Sequence, residues 1–313
     1  GLAAAFNAPL AGFIFTIEEL RRELSPLTYG MSLIAAVVAD IVTRTFLGQT
    51  TAFHISGYPT PPLSALPLFA VVGLVAGLFG VAFSHGLLAG QRLCDKHIQL
   101  PRWQRAGLIG VAIGLVGWWL PEALGTGHAV SEQILRGDYE GSHMIFFLMA
   151  LFAGKFLLTM ISYMAGVPGG IFAPMLLLGA VLGLLVGQIS SGPFPVLAGS
   201  PAAFAVAGMA AYFAAVVRAP LTGIVLVLEM TGNYEQLFPL LIACMVAYVV
   251  AEQLRSKPVY DALLGYDLQR TAPDPTAHQE PMLMEFGVER GSFMDGRAIR
   301  DLGFPLGCLI VTI

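Results

Sequence analysis

The sequence predicts an all-α polytopic membrane protein with a duplicated architecture and discontinuous helices, followed by the beginning of a small α/β segment. Three observations carry that prediction. Of 313 residues, 56% are hydrophobic and only 12% charged, about half the charged share of a soluble domain. The stretch Gly166-Val-Pro-Gly-Gly-Ile-Phe-Ala-Pro174 interrupts apolar sequence on both sides, and its glycines and prolines cannot sit together inside a helix. Finally, Ala3–Leu20 shifted by 211 positions lies on Ala214–Thr231, with seven of eighteen residues identical.

Taken in order, the first apolar segment is Ala3 to Leu20, closed by Glu18, Glu19, Arg21 and Arg22. Tyr29 to Leu47 follows, and its Asp40 and Arg44 stand at i,i+4 spacing, where they neutralise each other. A loop from Gly48 to Pro62 has no Lys or Arg, and Pro67 is placed to start the span Leu68–Gly90. Arg92 to Arg105 carries four basic residues and one acid, Asp95. Ala106–Leu120 spans again, and Gly125–His143 is a polar connection with room for a short helix. Met144–Met164 then spans with Lys155 inside it. Beyond the break come Phe172–Gly187, Pro201–Val217, Pro220–Met230 and Leu237–Leu254. Basic residues at 21–22, 92–105 and 255–257 place those loops in the cytoplasm by the positive-inside rule. His85 reads as a packed helix residue, with no partner histidine at ligand spacing.

Irregular backbone at membrane depth is tolerated where it is buried in protein or lines a cavity. Pro174 suits the first turn of the following helix, and Gly169 and Gly170 permit close approach to the main chain. The N–H groups of Ile171, Phe172 and Ala173 then leave a helix N-terminus together, which favours an anion. A plain packing kink is the other reading. Discontinuous helices are, however, the usual pointer to a transport site.

Within the repeat, both copies read Ala-Pro-Leu-x-Gly and end a helix in Glu: Ala8/Ala219, Pro9/Pro220, Leu10/Leu221, Gly12/Gly223 and Glu18/Glu229. A partner for the 166–174 break is then expected about 40 residues before Gly1, so half of the binding site is expected to lie upstream. Other functions find little support. The net charge of −4 forms no basic stripe for nucleic acid. Cys94, Cys244 and Cys308 make neither a disulfide framework nor a metal motif. Ser162 and His85 lack partners for intramembrane catalysis, so no enzyme, metal or cofactor is expected.

Gly170-Ile-Phe-Ala-Pro174, Ala219-Pro-Leu-Thr-Gly-Ile-Val-Leu-Val-Leu-Glu229 and Phe6-Asn-Ala-Pro-Leu-Ala-Gly12 resemble motifs of the CLC family of chloride channels and proton/chloride antiporters. The resemblance covers residues 1–265. It implies a homodimer in the lipid bilayer of a prokaryotic inner membrane. Each subunit would have its own pore and two inverted halves, with a cytoplasmic C-terminal segment and with chloride and protons as substrates. It also implies that the family's Gly-Ser-Gly-Ile-Pro and Gly-Arg-Glu-Gly-Pro motifs, the second holding the external gating glutamate, belong upstream.

By the same resemblance, Gly170, Ile171 and Phe172 match the anion-binding break, and Tyr260 the tyrosine whose hydroxyl donates to the central anion. Glu19 matches the internal proton-transfer glutamate of the antiporters; the alternative is a helix-end carboxylate paired with Arg21 or Arg22. Proton/chloride antiport is therefore the expected function, with a passive anion channel of the same fold as the alternative. Lys155 either raises the local anion potential or pairs with a carboxylate such as Glu229, and the structural pair is the expectation. Glu229, repeat-mate of Glu18, reads as structural.

After Leu264 the composition changes. Residues 266–281 read as a linker, Met282–Val288 as a strand, Phe293–Leu302 as a short helix and Cys308–Ile313 as a second strand. The order of residues 282–313 resembles the opening of a TrkA-C domain. Modules of that kind imply a small-molecule regulator.

Overall fold

The structure is a computed structural model that describes residues 1–21, 26–48, 51–53, 61–97, 100–166, 169–193, 200–271, 292–299 and 302. It divides into a compact unit Gly1–Leu268 and a second unit Gln269–Ile313. In the second, the described residues around Phe293 form turns, with Gly296 at φ 69°, where the sequence predicts the helix Phe293–Leu302. Both expected strands lie outside the described residues.

The first unit is helical. Its elements are α1 (Leu2–Phe6), α2 (Pro9–Phe15), α3 (Pro26–Leu47), α4 (Leu66–His97), α5 (Arg102–Trp119) and α6 (His128–Arg136). After them come α7 (Ile145–Met164), α8 (Phe172–Ser191), α9 (Pro201–Val217), α10 (Pro220–Thr231), α11 (Leu237–Gln253) and α12 (Val259–Thr271). Among the described residues five helical stretches are long and apolar enough to cross a membrane: Thr28–Phe46, Leu63–His97, Ile145–Met164, Phe172–Ser191 and Tyr234–Gln253. Two expectations change. The expected basic loop Arg92–Arg105 is helical up to His97 and again from Arg102, and the expected linker from residue 266 is helical as far as Thr271.

The core lies where α8 and α9 cross. Every residue of α9 from Ala202 to Val217 is buried, as expected of a helix that is apolar all round. Contact is close because small residues face each other. A Cβ at Gly183 would collide with the Phe204 carbonyl oxygen, and one at Gly208 with that of Gly179. Without a hydrophobic force between helices in lipid, such small-residue seams let backbones approach and dispersion accumulate. The same device seats α4, through Gly73 and Gly77, against Ala243, Val246 and Val250 of α11.

The repeat is visible as a repeated corner. α1 ends at Asn7, whose φ of 52° is left-handed and whose N–H reaches Ala3 O; Ala8 is extended and Pro9 starts α2. α9 ends at Arg218, φ 71°, with its N–H on Ala214 O, and Ala219 and Pro220 follow in the same way. These are repeat-mates at every step. Proline at the first position suits a helix start but leaves the next amides without acceptors.

Each copy supplies the other's acceptors. Glu229 at the end of α10 accepts from the N–H of Leu10 (3.1 Å) and Ala11 (2.8 Å) at the start of α2. Glu18, just past α2, accepts from the N–H of Leu221 (3.1 Å) and Thr222 (2.7 Å) and from the Thr222 hydroxyl. The two helices therefore lie side by side and antiparallel, as an inverted repeat requires. A carboxylate at a helix N-terminus also meets the positive end of the dipole. Glu18→Ala should lower stability by roughly 1.5–3 kcal/mol, the worth of hydrogen bonds to a charged group. Thermal unfolding in detergent checks this, and Glu229→Ala should cost about as much by symmetry.

Candidate functional site

α8 begins differently from α2 and α10. Its first residue is Phe172, its N-cap is Ile171, and among the described residues no side chain caps it. The first helical amides have no intrahelical acceptor, Pro174 has no N–H to offer, and the Met175 N–H already bonds Ile171 O. The amides around Phe172 thus form an open donor group at the positive end of a helix.

Gly169, Gly170, Ile171 and Pro174 line a cavity of about 220 Å³, together with Gly125, Lys155, Ser162 and Tyr163. That volume holds several waters at about 30 Å³ each. Gly170 has nothing within 4 Å of where a Cβ would stand, so its main chain is open to whatever occupies the cavity. Lys155 is only 3% exposed. Its ammonium donates to the carbonyl of Ala123 (3.1 Å) and to that of Gly125.

The expected Lys155–Glu229 pair is therefore incorrect. Glu229 is engaged by the α2 amides, and Lys155 by two carbonyls beside the break. Carbonyl dipoles solvate the ammonium without cancelling its charge, so the cavity keeps a cation. The reading in which Lys155 raises the local anion potential is the one that its position fits. A lysine far from any carboxylate of its own helix was the available sequence signal, but main-chain acceptors have no signature in sequence.

On the other side of the α8 N-terminus, Phe172 stacks obliquely on Phe6 (ring centroids 4.8 Å) and meets Phe213 (4.9 Å). Phe15 bridges the group. Its ring lies 6.4 Å from that of Phe172 and 6.3 Å from that of Tyr260, both edge-on. Tyr260, in the first turn of α12, is partly buried, and burial first and the Glu19 carboxylate second push its hydroxyl up to about 12. The phenol thus stays protonated and able to donate at any physiological pH.

Glu19 lies in a π-helical turn, Thr16–Arg21, which continues α2, and it is 7% exposed. The adjacent carboxylates face different partners: Glu18 caps α10, while the Glu19 carboxylate raises the Tyr260 hydroxyl. Arg21 and Arg22, the alternative partners for Glu19, have side chains outside the described residues. The structure thus groups Phe172 and Tyr260 around Phe15, with the Glu19 carboxylate acting on the Tyr260 hydroxyl and with Gly170 and Ile171 on the Lys155 cavity. Asp40 and Arg44 pair at 2.7 Å and His85 Nδ1 bonds Val81 O at 3.0 Å, each within its own helix as expected.

The sequence profile of the voltage gated chloride channel family matches residues 1–252. The chain belongs to this CLC family. It is 41% identical over 274 residues to the H(+)/Cl(-) exchange transporter ClcA of Vibrio cholerae serotype O1, covering 86% of this chain and 58% of the relative. Against ClcA of Citrobacter koseri it is 36% identical over 288 residues, covering 90% and 59%. The chain thus spans somewhat over half the length of these relatives. Among solved structures, a slow cyanobacterial Cl−/H+ antiporter superposes with a TM-score of 0.71 at 34% identity, covering 87% of this chain and 64% of that one. A CLC-type fluoride/proton antiporter shares the fold, with a TM-score of 0.63 at 20% identity over 79% of this chain and 60% of that one.

Lys155→Met removes the cavity's cation and should weaken halide binding by about 1 kcal/mol, roughly fivefold. Lys155→Arg should bind close to wild type. Calorimetric halide titration of the full protein in detergent measures both.

Proposed function

We propose that the protein exchanges chloride for protons across a membrane, and that this chain carries part of the anion site and an internal proton-transfer residue. One observation carries the proposal. The α8 N-terminus is open, whereas the two neighbouring Pro-started helices, α2 and α10, are closed by protein carboxylates. A helix start that the protein does not neutralise is left for a mobile anion. Amide dipoles with a single hydroxyl donor hold such an ion without a direct ion pair, so it can leave again, as transport demands.

In this reading Gly170, Ile171 and Phe172 present main-chain donors, Tyr260 adds its hydroxyl, and Lys155 concentrates anions in the approach cavity. Glu19 collects protons at the end of the π turn and passes them toward the anion. The printed names of the relatives, H(+)/Cl(-) exchange transporters and a Cl−/H+ antiporter, support coupled exchange. The arrangement of basic loops supports a prokaryotic inner-membrane protein with a cytoplasmic C-terminal segment. A homodimer fits the exposed apolar side chains of α3, among them Met31, Ile34 and Ile41. The TrkA-C-like reading of residues 282–313, with its small-molecule regulator, rests on their sequence alone.

Glutamine matches glutamate in size and hydrogen-bonding shape but carries no titratable proton. Glu19→Gln in the full protein should therefore abolish chloride-driven proton movement while leaving chloride flux within about twofold of wild type, since the anion path keeps its donors. Proteoliposomes read with a pH and a chloride electrode together supply the test. Uphill proton pumping by the variant at the wild-type ratio would remove Glu19 from the proton route. A wild type that moves chloride and no protons would make the protein a channel.

A further inference from the structure

At one end of the helical unit stands a buried charge whose geometry serves no anion directly. Arg105, near the start of α5, is 5% exposed. Its Nη1 donates to Asp95 Oδ1 at 3.0 Å and its Nε to Ala165 O at 3.3 Å, directly before the break. The other oxygen of Asp95 is also taken: the Tyr266 hydroxyl donates to Oδ2 at 2.9 Å. One carboxylate at the end of α4 thus joins a guanidinium anchored on the entry to the 166–174 break and a phenol on α12. Tyr266 lies six residues beyond Tyr260 on that helix, about 9 Å along its axis.

Burying an arginine–carboxylate pair is a poor way to gain stability, since desolvation offsets most of the attraction. What such a pair fixes is geometry, because the guanidinium fork accepts only certain directions. The chain yields space for it. Gly166 has φ 69°, and a Cβ there would collide with Nη2 of Arg105. α12 is held upstream of Tyr260 as well, by Arg218, whose Nη2 donates to Ser256 O at 2.8 Å. Tyr260 therefore sits between two fixed points.

We propose that Asp95, Arg105 and Tyr266 form a clasp that sets the distance between the Tyr260 hydroxyl and the open N-terminus of α8, making all three positioning residues for the anion. The inference rests on the proposed anion site and adds to it the parts that hold its two halves in register. A helix moved by a fraction of an ångström at Tyr266 carries Tyr260 with it. The clasp thus acts on affinity through Tyr260 and through no contact of its own with the ion.

The test is a double-mutant cycle on chloride binding, by calorimetry of the full protein in detergent, with melting temperature recorded for every variant. Tyr260→Phe should weaken binding roughly ten- to 150-fold, the worth of one hydrogen bond to a charged group, and Tyr266→Phe about three- to tenfold, since it shifts that bond without deleting it. The pair together should lose no more than Tyr260→Phe alone, because the clasp acts through that hydroxyl. Asp95→Ala removes the same bond from the other side together with the Arg105 pair, and should weaken binding at least as much as Tyr266→Phe. Wild-type affinity in Tyr266→Phe or Asp95→Ala overturns the clasp, as do losses that multiply in the double variant. Wild-type affinity in Tyr260→Phe instead overturns the placing of Tyr260 at the anion, and the clasp with it. Tyr266→Phe removes a single oxygen from a partly exposed site and keeps the cycle usable should Asp95→Ala fail to fold.

Discussion

The structure depends on how helix N-termini inside a membrane are satisfied. Each exposes amides that lipid cannot serve, and each unserved amide is costly. At α2 and α10 the protein answers with its own carboxylates, Glu229 and Glu18, each taken from the other copy of the repeat. At α8 no carboxylate among the described residues does so. The contrast makes the uncapped end informative. In the proposed function, the third position is the one left to a mobile anion.

The rest of the fold keeps that open end rigid. The α8–α9 seam, closed by Gly179, Gly183 and Gly208, fixes the helix that points at the site. The aromatic group around Phe15 fixes Phe172 against Tyr260. Lys155 draws its carbonyls from the turn Ala123–Gly125, so the charge in the cavity is held by backbone and not by an acid that would cancel it. Electrostatic preorganisation of this kind is bought with glycine and burial more than with charge count. Among the described residues, Asp40 and Arg44 pair with each other and Lys155 is held by main-chain carbonyls.

Much of this was legible in the sequence. Apolar runs located the spans, although α4 continues to His97 where a basic loop from Arg92 was expected, and the glycines and prolines at 166–174 located the break. A shift of 211 residues located the repeat and its two glutamates. Other features left no mark. Asn7 adopts a left-handed φ at a position with no glycine, so Pro9 marked a helix start but the shape of the turn before it was not visible. The π turn at Thr16–Arg21 is a register change, and hydrophobic periodicity over so few residues does not reveal it. Asp95 and Tyr266 are 171 residues apart, a contact that only the folded chain makes. Pro and polar residues suggested a linker from residue 266, yet the prolines begin only after Thr271, and the helix runs up to there.

The two corners of the repeat have grown unequal. Asn7 and Arg218 hold the same backbone shape, but Arg218 has the reach of a long side chain. Its guanidinium touches Tyr248 O, Ser256 O and Glu252, and it lies 5.3 Å from the Tyr248 ring centre. At the second corner the bend also carries the post on which the last helix of the unit hangs. Repeat-mates in the sequence are thus not interchangeable in the fold. Restoring symmetry by placing asparagine at both corners would preserve the turn and lose the mooring.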